Sequence, residues 1–96
     1  MNKQIELLGM KKINKSGLLA TADVKQDTVT INQFRLMRNS KGEMWVDVPL
    51  LHWIDRGQHY YQKAVELNEE TMNKIERIII NEYNERYNSS ITHTNN

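Results

Sequence analysis

The feature that most constrains the fold is a change in hydrophobic period near residue 68. Before it, apolar and polar side chains alternate over short stretches such as "LLATADVK" (18–25), bounded by turn sequences such as "NKSG" (14–17). Alternation of this kind is typical of half-buried β-strands. After it, apolar side chains recur at the spacing of one helix face: Met72, Ile75, Ile79 and Tyr83. The pattern predicts several antiparallel strands followed by one helix.

Five stretches before residue 68 have strand character: 4–13, 18–25, 28–38, 43–48 and 58–67. The second stretch places four apolar residues on the face expected to be buried: Leu18, Ala20, Ala22 and Val24. In the third stretch the apolar positions change parity, from odd-numbered Ile31 to even-numbered Phe34. A strand that keeps one face inward can change parity only through an extra residue. We therefore predict a β-bulge near Asn32–Gln33.

The helix is expected to begin after Asn68, whose side chain can accept a backbone N–H, and to run from 69 to about 87. Two glutamates in its first turn suit the positive end of the helix dipole. A chain of 96 residues is long enough for one small domain. We predict a single two-layer α+β domain over 1–88, in which one long C-terminal helix covers an antiparallel sheet of about five strands. The polar tail, 89–96, is expected to be disordered.

The sequence contains no cysteine, which excludes disulfides, cysteine-based zinc sites and thiol catalysis. This suits a reducing compartment, and we expect the protein to be cytoplasmic. No apolar run is long enough to cross a membrane. Charge is unevenly distributed, because residues 1–42 carry eight Lys or Arg and three acids, whereas residues 43–96 carry five and nine. The basic first half could meet phosphate, although two ordinary solvated faces would give the same balance.

Residues that could support catalysis are scattered along the chain. The four glycines do not form a phosphate-binding loop. His52 and His59 lie seven residues apart, which is not a recognised metal-ligand spacing, and His93 lies in the tail. Asp55 lies close enough to pair with His52, but no serine nucleophile is near them. We therefore predict no enzyme activity, no metal, no cofactor and no small-molecule substrate.

The stretch "VPLLHWIDRG" (48–57) has the features of a loop between two strands, because Pro49 and Gly57 bound it. Loops are usually polar, yet this one holds four large apolar residues: Leu50, Leu51, Trp53 and Ile54. Two alternatives remain open for these side chains. They could anchor a partner or a second copy of the chain. They could equally fold back and plug the core.

The stretch "NEETMNKIERIIINEY" (68–83) resembles the C-terminal helix of the stage V sporulation protein G (SpoVG) family, also called septation protein G. The shared positions are Asn68, Thr71, Lys74, Ile75, Asn81, Glu82 and Tyr83. Upstream, three stretches resemble the family's first hairpin, its apolar-Arg segment and its strand ending in proline: "INKSGLLATADV" (13–24), "FRLM" (34–37) and "GEMWVDVP" (42–49). The resemblance covers about residues 5 to 87 in unbroken order.

The resemblance implies a small α+β homodimer whose strands form a shared sheet. It also implies a bacterial cytoplasmic protein that binds DNA, and in some members RNA, and that regulates gene expression; family members are tied to sporulation, septation and surface or virulence traits. The family usually carries Ser-Lys-Arg after the strand-ending proline, in a loop implicated in DNA contact. Here Pro49 is followed by Leu50, Leu51 and His52, so the basic pair is absent.

Two functions follow as expectations. In the first, the protein is a SpoVG-like homodimeric regulator that binds nucleic acid, DNA rather than RNA. The residues expected to bind nucleic acid are Arg35, Arg38, Lys41, His52, Trp53, Arg56 and Lys74. In the second, it is a protein–protein interaction module of the same fold that has lost the basic loop. The residues expected to form its interface are Leu50, Leu51, Trp53 and Ile54.

Overall fold

The computed structural model describes residues 5–88, which form six antiparallel strands in two sheets and one C-terminal helix. The elements are β1 (Ile5–Lys15), β2 (Leu18–Gln26), β3 (Val29–Arg38), β4 (Met44–Asp47), β5 (Leu50–Asp55), β6 (Gln58–Lys63) and α1 (Glu69–Tyr83), which continues as a π-helical turn over Asn84–Asn88. The α+β class is confirmed, with one strand more than predicted and a second sheet. The predicted disordered tail, 89–96, lies outside the described residues. Within the described part of the chain, no helix is long and apolar enough to cross a membrane.

The larger sheet has the strand order β1-β2-β3-β4, and α1 packs against one of its faces. The buried apolar residues of this two-layer core are Leu19, Ala20, Ala22, Val24, Phe34, Leu36, Val46, Ile75, Ile79 and Tyr83. The alanines of β2 leave room for the large side chains of β3 and α1, of which Phe34 and Ile75 are fully buried. The helix-on-sheet arrangement predicted from the period change is therefore present.

The predicted bulge in β3 lies at Asn32–Gln33. Ala22 pairs with Phe34, but Val24 pairs with Ile31, so β3 uses two residues where β2 uses one. Gln33 adopts a positive φ of 72°, and the Asp23 carboxylate accepts its backbone N–H at 3.0 Å. The bulge keeps the apolar positions on both sides of it turned towards the helix.

A second irregularity corrects the prediction for β2. Leu18 pairs with Met37 and Ala20 with Leu36, so Leu19 is an extra residue between two successive pairs. Leu19 is buried beside Ala20, whereas Leu18, predicted to face the core, is only half-buried. Simple alternation fails here because the bulge shifts the parity of the strand.

The helix begins where the sequence predicts. The Asn68 side chain accepts the Thr71 backbone N–H at 2.8 Å, which satisfies one of the unpaired donors of the first turn. Residues four apart then face the sheet, and the buried ones are Thr71, Ile75, Ile79 and Tyr83. Met72, predicted on this face, is half-buried at its margin.

The helix also closes part of one sheet edge. Among the described strands β4 pairs with β3 alone, so its other side would expose unpaired backbone groups. The Glu76 carboxylate accepts the Val46 backbone N–H at 3.0 Å and satisfies one of these donors. A side chain of α1 therefore occupies a position where another strand could otherwise pair.

Removing the Asn68 cap is expected to destabilise the domain. Asn68→Ala loses the acceptor for the Thr71 N–H, and such a loss typically costs about 1 kcal/mol. Asn68→Asp keeps an acceptor at the same position and is the matched control. Urea unfolding should show a lower midpoint for the alanine variant and a near-unchanged midpoint for the aspartate variant; equal losses in both would contradict a capping role.

Candidate functional site

The stretch predicted to be a loop is half of a β-hairpin. β5 pairs with β6 from Leu50 opposite Lys63 to Asp55 opposite Gln58. Arg56 and Gly57 form the turn, with φ of 53° and 80°, as a two-residue turn with both residues at positive φ requires. The loop prediction is therefore wrong over this stretch. A strand with large apolar residues on both faces lacks the alternation by which half-buried strands are recognised.

We call this hairpin, residues 50–63, the arm. All of its strand residues are exposed. The large side chains among them, with their exposed fractions, are Leu50 (39%), Leu51 (54%), Trp53 (44%), Ile54 (59%), Tyr60 (39%) and Tyr61 (62%). A two-stranded hairpin alone is at best marginally stable in water. Because these side chains face solvent, the core-plug alternative does not hold, and the arm is a surface available to a partner.

One face of the arm carries an indole–phenol pair. Trp53 lies directly opposite Tyr60, with ring centroids 5.7 Å apart and planes 16° from parallel. The Tyr60 hydroxyl donates to the Gln58 side chain at 2.9 Å. Leu51 lies two residues before Trp53 and shares its face. This face is therefore a flat aromatic and aliphatic surface.

The other face carries three stacked or bonded rings. His52 stacks on Tyr61, its cross-strand neighbour, at a centroid distance of 4.6 Å and 10° from parallel. His59 lies diagonally across from His52, and the His52 Nε2 and His59 Nδ1 atoms are 2.9 Å apart. The two imidazole planes are 6° from parallel. Sequence spacing did not indicate this pair, because only a hairpin with its turn at Arg56-Gly57 brings the two histidines together.

Arg35, one of two basic residues that resemble the SpoVG pattern, lies at the base of the arm. Its guanidinium donates to the Val48 carbonyl at 3.3 Å and lies 3.6 Å from an Asp47 carboxylate oxygen. Its Nε is buried without a hydrogen-bond partner among the described residues. Arg35 also lines a cleft of about 350 Å³ where the arm joins the domain, between Leu50 of the arm and Met72 of α1. Its Nε and one terminal nitrogen are thus turned towards the protein.

The other predicted cations lie apart from one another. Arg38 and Lys41 are exposed around the β3–β4 connection, at the beginning of β4. The arm leaves from the other end of β4 and carries exposed Arg56 in its turn. Lys74 lies on the outer face of α1, with its Nζ 3.9 Å from Glu70. The structure brings together Arg38 and Lys41, but it does not gather all the predicted cations into one patch within a single chain.

Comparison of the chain with protein-family models gave no match, and a search of curated protein sequences gave none. The resemblance to the SpoVG family therefore rests on the residues quoted above. The fold and the exposed arm stand independently of it.

Proposed function

We propose that this protein is a SpoVG-like nucleic-acid-binding regulatory protein that acts as a homodimer, by binding rather than by catalysis. The observation that carries the proposal is the ordered resemblance over about residues 5 to 87, which implies a small α+β domain with a C-terminal helix. Sporulation, septation and gene regulation enter the proposal through this resemblance. DNA is the expected nucleic acid, with RNA second.

The surface offers the two groups that nucleic-acid binding needs. Arg38, Lys41 and Arg56 are exposed cations, and phosphate contacts from such side chains dominate affinity. Trp53 and Tyr60 present exposed flat rings on which unpaired bases can stack. In a homodimer each of these groups occurs twice, which doubles the number of available cations.

The arm supports the homodimer part of the proposal. Each of its strands has one partner among the described residues, so each retains an edge that can pair with a strand of another chain. Both faces carry large apolar side chains whose burial would be favourable. A second copy presents the same edges and side chains and so satisfies a symmetric contact. This arrangement corresponds to the shared sheet that the SpoVG resemblance implies.

Removing the cations of the β3–β4 connection should weaken nucleic-acid binding. For the double variant Arg38→Ala/Lys41→Ala, we expect lower affinity for a labelled DNA. The slope of log K against log salt concentration should become shallower by about 0.9 for each duplex phosphate that the variant no longer neutralises. Fluorescence anisotropy at several salt concentrations measures both quantities. Lys25→Ala, an exposed cation on β2, is the control and should leave the slope unchanged. If the unmodified protein binds neither duplex nor single strand at low salt, the proposal fails.

A second candidate function is favoured by the composition of the arm. Leucine, tryptophan and isoleucine occupy the place where the SpoVG family keeps its basic loop, and one terminal nitrogen of Arg35 contacts Asp47 and Val48. We therefore propose, as the alternative, a protein–protein interaction module of the same fold. Dimerisation through the arm together with no nucleic-acid binding at low salt would favour this alternative over the first function.

A further inference from the structure

We propose that the face of the larger sheet opposite α1, which we call the outer face, binds single-stranded nucleic acid with Trp45 as a stacking ring. Phe34 and Leu36 of β3 are fully buried in the core beneath α1, so Arg35 and Met37, which alternate with them, lie on the outer face. Among the described elements, only α1 and its continuation pack extensively against the larger sheet, so most of the outer face is uncovered. The inference rests on the proposed function and adds to it the form of nucleic acid that is bound and a surface outside the arm.

Two cross-strand rows of the outer face combine apolar side chains with cations. Residues directly opposite each other in paired strands lie on the same face. Pairing across all four strands gives the first row as Lys15, Leu18, Met37 and Trp45, and the second row as Lys11, Thr21, Arg35 and Asp47. The first row is therefore a strip of three half-buried apolar side chains with an exposed lysine at its end. None of the three apolar side chains packs against the core.

The charges of the two rows favour an anionic ligand. They comprise three cations, Lys11, Lys15 and Arg35, and one acid, Asp47. The Asp47 carboxylate accepts the Trp45 indole N–H at 3.3 Å and lies 3.6 Å from the Arg35 guanidinium. The single acid is therefore engaged within the rows, whereas Lys11 and Lys15 are exposed on β1. Phosphate is the anion that exposed lysines beside an aromatic ring would meet in a nucleic acid.

This combination suits a single strand rather than a duplex. Every unpaired base offers a flat surface that can stack on an aromatic ring, and the open face of a four-stranded sheet can hold two or three such bases. In a duplex the bases are stacked on each other, and a flat sheet face cannot enter a groove to reach them. Strands lie about 4.8 Å apart, so each row is about 14 Å long, which accommodates a few nucleotides. A strand along the first row would place a base on Trp45 and phosphates near Lys15.

Fluorescence anisotropy of the full chain with labelled oligothymidine, oligouridine and a DNA duplex of matched length tests the site. We expect both single strands to bind more tightly than the duplex at low salt. Trp45→Leu keeps an apolar side chain but removes the ring, and should weaken single-strand binding at least about fivefold, whereas Trp45→Phe keeps a ring and should weaken it less. For Lys15→Ala, the slope of log K against log salt concentration should become shallower by about 0.7 for each single-strand phosphate that the variant no longer neutralises.

Two further variants control for charge and for folding. Lys25→Ala removes a cation of the outer face that lies beyond the two rows, opposite Glu6, and should leave the affinity for single strands unchanged. Trp53→Phe leaves Trp45 as the only indole of the chain, and binding of oligothymidine should then quench its fluorescence. This quenching does not depend on the folding of a Trp45 variant.

The outcomes separate this inference from the proposed function. Single-strand binding that is unchanged in Trp45→Leu, or that leaves the Trp45 fluorescence unquenched, would overturn the outer face as the site while leaving nucleic-acid binding in place. Tighter binding of the duplex than of either single strand would also overturn the inference. If neither single strand nor duplex binds at low salt, the proposed function fails and the inference fails with it.

Discussion

Replacing Trp53 and Ile54 together with serine is expected to convert a dimer into a monomer whose domain remains folded. The two side chains lie on opposite faces of the arm and are 44% and 59% exposed. Because neither belongs to the core between the sheet and α1, their removal should leave that core intact. The variant therefore separates the assembly of copies from the folding of one copy.

The size of the effect follows from the apolar surface that a partner would bury. Full burial of a large apolar side chain contributes about 1.5–3 kcal/mol, and about half of each side chain is exposed here. Two residues in each of two copies then contribute about 4 kcal/mol to the free energy of dimer formation. Their replacement should therefore weaken the dimer roughly a thousandfold. A dimer with a micromolar dissociation constant would then be a monomer at ordinary working concentrations.

Light scattering coupled to size-exclusion chromatography measures the assembly, and circular dichroism measures the fold. Val29→Ser is the control, because Val29 is 57% exposed at the start of β3 and lies outside the arm. A dimer that survives the double substitution would rule out the arm as the contact. Loss of folding in the double variant would instead restore the interpretation of these residues as core.

The second large effect concerns the core. Phe34→Ala is expected to destabilise the domain by about 3–5 kcal/mol, because Phe34 is fully buried in the core and its removal leaves a cavity. Small domains are stable by only about 5–15 kcal/mol, so much of the population could unfold on warming. The rest of the core has little spare burial with which to compensate.

Urea unfolding measures this loss as a lower midpoint at an unchanged slope. Val29→Ala removes apolar atoms from the same strand at an exposed position and should change the free energy of unfolding by less than about 0.5 kcal/mol. Comparable losses in the two variants would contradict the burial pattern described for β3.

The fold was largely predictable because hydrophobic period reports which residues are buried. The bulge at Asn32–Gln33 and the helix start at Asn68 involve exposed residues, but the apolar residues that follow them pack against the core, where the period is enforced. Leu18 was wrongly predicted to face the core because the bulge at Leu19 leaves no mark in the alternation. The first strand of the arm, β5, was missed because neither face of the arm packs on this chain, so no buried face imposes a period. The second strand, β6, lies within the strand predicted over 58–67.

The candidate site was less predictable, since its geometry depends on pairings that sequence spacing does not reveal. The large apolar residues of the arm were recognised as unusual, and their exposure decided between the two alternatives for them. The histidine pair depends on the turn at Arg56-Gly57, which brings His52 and His59 to diagonal positions on the two strands. Reading that dipeptide as a hairpin turn would have predicted the pair.

The contact between Glu76 and Val46 has a consequence for how many copies can associate. If chains paired strand to strand at β4, each added chain could offer the same edge to the next. Such association is open-ended and forms fibres. With the Val46 N–H already bonded, addition at β4 would have to break a bond before making one. β1, at the opposite edge, is interrupted by a bulge between Leu7 and Gly9. In the proposed homodimer, association would be directed to the arm, where two copies related by a two-fold axis satisfy each other, and the product would be a finite particle rather than a fibre.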